Sequence, residues 1–190
     1  MKCNQPIRRR DAAATKTAIL CAARTLFARD SYENVGIREI ASLAGADAAL
    51  VSRYFGSKEE LFSEVLDHGE RGVDLLGTEV SGLPERVGEI MTDPEDEGKS
   101  LEDILIILHS ANSPVAGPLV RDSITKRFHA PFAEVIGGEH AMMRSQMFGA
   151  MLLGLSISQQ ISGDFADTPE MREKVKARIA DIIVKVIAPL

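Results

Sequence analysis

The sequence predicts an all-α protein, and three observations carry the prediction. Leu, Ile, Ala, Met, Glu and Arg dominate the long segments, and these are good helix formers. Apolar residues recur at i, i+3 and i+4, the spacing of one buried helix face. No run of alternating β-branched residues reads as a strand. With 190 residues, 45% of them hydrophobic, the chain can bury a real core in one large domain or two small ones.

Residues 1–11 read as a flexible basic arm carrying Arg8, Arg9 and Arg10. Thr15 is a good N-cap, which starts a helix at about Lys16. That helix runs to Arg29 with Ile19, Ala22, Ala23, Leu26 and Phe27 on one face. Asp30-Ser31 ends it. A second helix spans Ile37 to Ala44, with Ile37, Ile40, Ala41 and Ala44 inward, and Gly45 stops it. Asp47 caps a third helix, about Ala48 to Phe55, which Gly56 ends. Ser57 three residues before Glu60 is a capping box. It opens a fourth helix whose apolar stripe is Leu61, Phe62, Val65 and Leu66.

Residues 67–100 are interrupted by Gly69, Gly72, Gly77, Gly82, Pro84 and Gly88, so only short helices are expected, followed by an acidic loop over 92–100. The run from Leu101 to Ala111 reads as a buried helix capped by Ser100. Pro114 and Pro118 bracket the start of another, which runs toward Ile136 until Gly137-Gly138 breaks it. A long helix covers Glu139 to about Ile161. Thr168-Pro169-Glu170 supplies a cap, a proline in the first turn and an acidic start, and the last helix ends near Pro189. The domain division that follows is an arm over 1–11, a first domain over 12–66 and a second over 67–190.

Charge is uneven. Residues 1–66 hold 10 Lys/Arg against 8 Asp/Glu, while the remainder holds 12 against 20. A weakly basic head on an acidic body fits a nucleic-acid reader carrying an unrelated second module. Cys3 and Cys21 do not make a disulfide framework and fit a reducing, cytoplasmic setting. Residues 145–163 lack charge but hold too many Ser and Gln for a membrane span.

The stretch IREIASLAGADAALVSRYFG, residues 37–56, carries the functional signal. Ala41 is small where two helices approach, and Gly45 sits at the turn four residues on. Val51 follows six residues after Gly45 and packs back beneath the first helix. This is helix-turn-helix spacing, in which the second helix lies in the DNA major groove. On spacing alone a plain αα-hairpin fits as well. The residues that follow, SRYFGSKEELF, place Arg53 and Tyr54 at the end of the short helix and Lys58 in the first turn of the next. Lys58 and the backbone N–H groups there suit a phosphate oxygen.

The pieces AILCAARTLFARDSY, IREIASLAGA and VSRYFGSKEELF together resemble the DNA-binding domain of the TetR family of bacterial transcriptional regulators. The resemblance covers about 50 residues, Thr15 to Leu66. It implies an all-α homodimer whose N-terminal three-helix domain binds DNA and whose C-terminal helical domain binds a small effector and dimerises. In family position Asp47, Ala48, Ala49, Leu50, Ser52, Arg53 and Tyr54 form the reading surface. Ala48, Ala49 and Leu50 offer only apolar contact. Hydrogen-bonded base readout falls to Arg53, with Arg38, and phosphate contact to Tyr54 and Lys58. Three residues depart from the pattern: Ser31 stands for the usual Gly, Gly36 for a Ser or Thr cap, and Ser52 for a Tyr.

Nothing after residue 67 reads as catalytic. Metal-ligand spacing, phosphate loops and nucleophile elbows are missing from the pattern, so no cofactor is expected and the protein is not read as an enzyme. His109, His129 and His140 are isolated in sequence. The long helix carries small residues at Ala150, Gly154 and Ser158, and the last helix an apolar face with Ile179, Ile183 and Val186. These are expected to pair with their copies across a two-fold axis. The effector pocket implied by the resemblance draws on Met91, Leu105, Leu108, His109, Phe128, Phe132 and Met147, which points to a small apolar effector.

The expected function is a sequence-specific DNA-binding transcriptional regulator, a repressor released from a double-stranded palindromic operator by its effector. The alternatives are a helical interaction module that has lost specific DNA binding, or an all-α enzyme.

Overall fold

The computed structural model describes residues 12–68, 79–93, 101–163 and 165–189. Among these residues the structure is helical, with no strand. The basic arm with Arg8, Arg9 and Arg10, and the loop over 94–100 with its Ser100 cap, lie outside the described residues. The chain divides into two compact units. The first is Met1–Gly69 with Glu102–Ser123, and the second is Glu70–Leu101 with Ile124–Leu190.

In the first unit, α1 (Ala12–Arg29) packs against α2 (Ile37–Ala44), α3 (Ala48–Phe55) and α4 (Lys58–Asp67). Helix α1 begins three residues before the expected Thr15 cap, because Ala12, Ala13 and Ala14 are themselves the best helix formers. Ile19, Phe27, Ile40, Leu61, Phe62 and Val65 are fully buried. The Phe27 and Phe62 rings meet edge to face at 4.9 Å, and Tyr32 meets Phe62 at 5.1 Å, which adds directional stabilisation to the apolar burial. After α1 the chain turns without left-handed backbone at Asp30 or Ser31. Instead Asp30 Oδ1 accepts from the Ser31 N–H at 2.7 Å and from Asn34 Nδ2 at 2.9 Å.

Helices α6 (Leu101–Ser110) and α7 (Ala116–Ile124) follow later in sequence, yet residues 102–123 group with this first unit. The Arg24 guanidinium of α1 donates to the Asp103 carboxylate and, at 3.3 Å, to that of Glu102. Ser113 Oγ donates to the Glu33 carboxylate and accepts from the Ala116 N–H at 2.8 Å. Helix α6 is one-sided rather than buried all round: Ile106 and Ser110 point inward while Leu108 and His109 are exposed.

In the second unit, α5 (Leu83–Thr92) lies along α10 (Pro169–Ile187), and α8 (Ala130–Ile136) packs on α9 (Ala141–Ser162). The core is Leu83, Val87, Phe132, Phe148, Ile179, Ile183 and Ile187. Thr168 caps α10 through its side chain, accepting from the Met171 N–H at 3.2 Å, as the sequence predicts. The helix expected to run toward Ile136 is realised as α7, a π-helical segment over Thr125–His129, and α8. Pro131 has no N–H for the Arg127 carbonyl, so the ladder is interrupted there. The Ala130 N–H bonds instead to the Thr125 oxygen, one residue further back than α-helical register.

One buried cation ties two helix ends together. Arg144 of α9 is 1% exposed. It donates to the carbonyls of Gly137, just past α8, and Ile187, the last residue of α10, and at 3.1 Å to that of Glu139. Carbonyls at helix C-termini carry partial negative charge and no intrahelical partner, so a guanidinium among them satisfies both.

Candidate nucleic-acid interface

Local chemistry builds the helix-turn-helix. Helix α2 starts from Gly36 in extended backbone without a side-chain cap. It ends at Gly45, with φ +63° and ψ 32°. The Gly45 N–H bonds to the Ser42 carbonyl at 3.1 Å and the Ala46 N–H to the Ala41 carbonyl at 2.9 Å. That pair of bonds is a Schellman motif, and it needs left-handed backbone where a side chain costs most. Asp47 then accepts from the Ala49 N–H at 2.7 Å and opens α3. After Gly56, Ser57 Oγ accepts from the Glu60 N–H at 3.1 Å, while Glu60 accepts from the Ser57 N–H at 2.8 Å. This is the capping box that the sequence predicts.

Two turns of helix are too short to be stable alone. Val51 and Phe55 anchor α3 into the core, at 1% and 5% exposure. Lys16 of α1 braces it, with its ammonium 5.1 Å from the Phe55 ring centroid and 3.0 Å from a Glu64 oxygen. At 100° per residue the direction opposite Val51 and Phe55 falls on Arg53, with Ala49, one turn back, about 40° to one side of it. Asp47, Ala49, Ser52 and Arg53 are exposed. Ala48, Leu50 and Tyr54 are half-buried and lie off that direction. Arg38 is exposed on the first turn of α2. Leu43, which sequence reasoning does not single out, is 53% exposed at the end of α2.

Lys58, placed on phosphate by the sequence, lies 4.2 Å from the centroid of the Tyr32 ring. Burial pushes its ammonium below the usual lysine range, against the pull of Glu33 and Glu59. Burial and the same two carboxylates push the Tyr32 phenol up to about 12. The sequence contains no local signal for this pairing, since residues 32 and 58 meet only through the fold.

The expected effector residues fall in both units. Leu105, Leu108 and His109 belong to the first unit, whereas Met91, Phe128, Phe132 and Met147 belong to the second. Within the second unit Phe132 is in the core with Met91 and Phe128 packed against it. Met147 faces outward at 52% exposure. Gly149 crosses the π-helical segment so closely that a Cβ there would lie 2.7 Å from His129 Cε1.

The expected dimer residues also separate. Ala150 and Gly154 are exposed and Ser158 is half-buried. Ile179 and Ile183 are buried in the protomer's own core and are corrected to core residues, because α5 and α9 cover that face of α10. Val186 is half-buried against the same core. Among the described residues no cluster of three His, Cys, Asp or Glu could hold a metal ion. None of the described helices is long and apolar enough to cross a membrane.

Comparison with known proteins agrees with this geometry. Residues 19–65 match the family model described as bacterial regulatory proteins, tetR family. Residues 81–187 match the tetracyclin repressor-like C-terminal domain. The HTH-type transcriptional repressor Rv3405c of Mycobacterium tuberculosis is 28% identical over 175 residues, 87% of each chain. The HTH-type transcriptional repressor NicS of Pseudomonas putida is 37% identical over 62 residues, which are 33% of this chain and 29% of that protein. Among solved structures, NalD of Pseudomonas aeruginosa, the secondary repressor of the MexAB-OprM multidrug efflux pump, superposes with a TM-score of 0.68. That match covers 93% of this chain and 97% of NalD at 18% identity, a likeness of fold. GusR of Salmonella enterica matches with a TM-score of 0.65 and 17% identity, over 89% of this chain and 95% of GusR.

Proposed function

The chain belongs to the TetR family of bacterial regulatory proteins, and from that premise we propose that this DNA-binding transcriptional regulator works as a homodimeric repressor of a palindromic operator. The observation that carries the reading is the state of α3. Its inner residues Val51 and Phe55 are fixed in the core, while Ala49, Ser52 and Arg53 face outward. Arg53 and Arg38 make no hydrogen bond or ion pair among the described residues. Uncommitted guanidinium groups on a rigid outward edge are suited to base and phosphate recognition. In a dimer, two such helices enter successive major grooves about one turn apart.

The exposed small residues Ala150 and Gly154 of α9 are the proposed seam between protomers, since small side chains let two helices approach closely. A small apolar effector is proposed to act in the second unit near Met91, Phe128 and Phe132. It releases DNA only by binding the DNA-incompetent state more tightly than the competent one. The reading is tested by enriching bound fragments from a random duplex pool with the full chain at about physiological salt, where non-specific binding is weak. Recovery of one palindromic sequence is the expected result. A pool that stays random removes the reading.

A further inference from the structure

We infer that each operator half-site presents a thymine C5-methyl group to Ala49 and a guanine to Arg53, about two base pairs apart. The inference rests on the DNA-binding reading above and names the bases that this particular surface reads.

The sequence leaves three apolar residues, Ala48, Ala49 and Leu50, as equal candidates for contact with bases. The structure separates them. Ala48 and Leu50 are half-buried on the flanks of α3, whereas Ala49 is exposed, on the side of the helix away from the buried pair Val51 and Phe55. Its only side-chain atom is a methyl group. In the major groove a methyl group gains nothing from the hydrogen-bonding edges of guanine, adenine or cytosine, but it packs against the thymine methyl. A bulky or polar residue at this position would hold the helix away from the base edge or demand a hydrogen bond. Alanine does neither, so the groove floor can approach closely there.

Arg53 lies four residues further along the same face. Four residues advance about 6 Å along a helix, and successive base pairs rise about 3.4 Å. The two contacts are therefore about two base pairs apart when α3 follows the groove. A guanidinium that is exposed and uncommitted pairs best with guanine O6 and N7, in the bidentate geometry that no other base edge offers. Ser52, exposed beside Arg53, can donate or accept and adds little discrimination of its own. The surface thus reads by shape at one end and by a forked hydrogen bond at the other.

The test uses the full chain and the duplex enriched from a random pool. Thymines in the half-site are replaced singly by uracil, which removes only the C5-methyl group. Guanines are replaced singly by 7-deazaguanine, which removes only the N7 acceptor. One uracil position is expected to weaken binding about three- to fivefold, the size of one buried methyl contact. The same change is expected to have no effect on Ala49→Gly. One deazaguanine position about two base pairs away is expected to cost about tenfold, and nothing in Arg53→Ala. The DNA-side changes need no protein variant, so a folding defect cannot hide the outcome. An enriched palindrome that tolerates uracil and deazaguanine at every position overturns the inference and leaves the regulator reading standing. A pool with no enriched sequence removes both.

Discussion

The Lys58 ammonium rests 4.2 Å above the Tyr32 ring, at the first residue of α4. A cation over an aromatic face is held electrostatically, by about 0.5–2 kcal/mol depending on exposure. The ring itself is fixed by Phe27 and Phe62. Tyr32 therefore sets where the lysine stands before DNA arrives. Lys58→Ala is expected to weaken binding to all duplexes alike and to lower the salt dependence by about one ion. Titrations at several salt concentrations check this. An unchanged salt slope would mean that Lys58 never meets phosphate. Tyr32→Leu is expected to lower stability by about 1–3 kcal/mol through lost ring packing, read by denaturant unfolding.

Arg144 makes a second prediction. It is the buried cation that closes the C-terminal ends of α8 and α10. Arg144→Met preserves much of the apolar stem but orphans the Gly137 and Ile187 carbonyls. Each buried acceptor left without a partner costs about 1–3 kcal/mol. A loss of about 3 kcal/mol in total is expected, measured by denaturant unfolding, with Arg144→Lys intermediate. A loss below about 1 kcal/mol would contradict the role.

The third prediction concerns pH. Burial holds the His129 imidazole below its ordinary value of 6.5, against a smaller opposing effect from Ser145. The unfolded chain therefore binds a proton more readily than the folded one just below pH 6.5. Stability is full above that value and declines as pH falls toward the depressed folded-state value, where the loss levels off. His129→Asn is expected to flatten this part of the stability curve. Unfolding midpoints between about pH 5 and 8 check it, and an unchanged slope in the variant would assign the decline to other groups.

Two positions on the second unit separate the proposed seam from the core. Gly154 is exposed, and a Cβ added there would meet nothing within 4 Å, whereas Ile183 is fully buried. Gly154→Arg is expected to leave the protomer folded and shift it from dimer to monomer in light scattering. Ile183→Ala is expected to cost about 2–5 kcal/mol as a core cavity. A Gly154→Arg protein that stays dimeric would move the seam elsewhere.

The parts of the fold legible in the sequence are those decided by local chemistry. Gly45, Asp47, Gly56 and the Ser57–Glu60 box each act within five residues, and the structure places all of them as expected. The start of α1 departs from expectation because a good cap at Thr15 loses to three alanines before it. Other features depend on distant residues and leave no local trace. Lys58 and Tyr32 are 26 residues apart in the chain. The Arg24 link to Asp103 spans 79 residues and the Arg144 bond to Ile187 spans 43. Ile179 and Ile183 mislead because an apolar helix face looks the same whether its own chain or a second copy covers it. Of the proposed reading set, sequence names seven residues at α3 alike, and burial separates the exposed Asp47, Ala49, Ser52 and Arg53 from the half-buried Ala48, Leu50 and Tyr54.

The most direct test of the central claim is the affinity of the purified full chain for its enriched palindromic duplex against an unrelated duplex of equal length, at about physiological salt. The mass of each complex is measured alongside. The expected result is two chains per palindrome, a preference of about a thousandfold or more, and loss of most of that preference in Arg53→Ala. Equal affinity for the two duplexes, or a preference untouched by Arg53→Ala, would contradict the assignment of α3 as the reading helix.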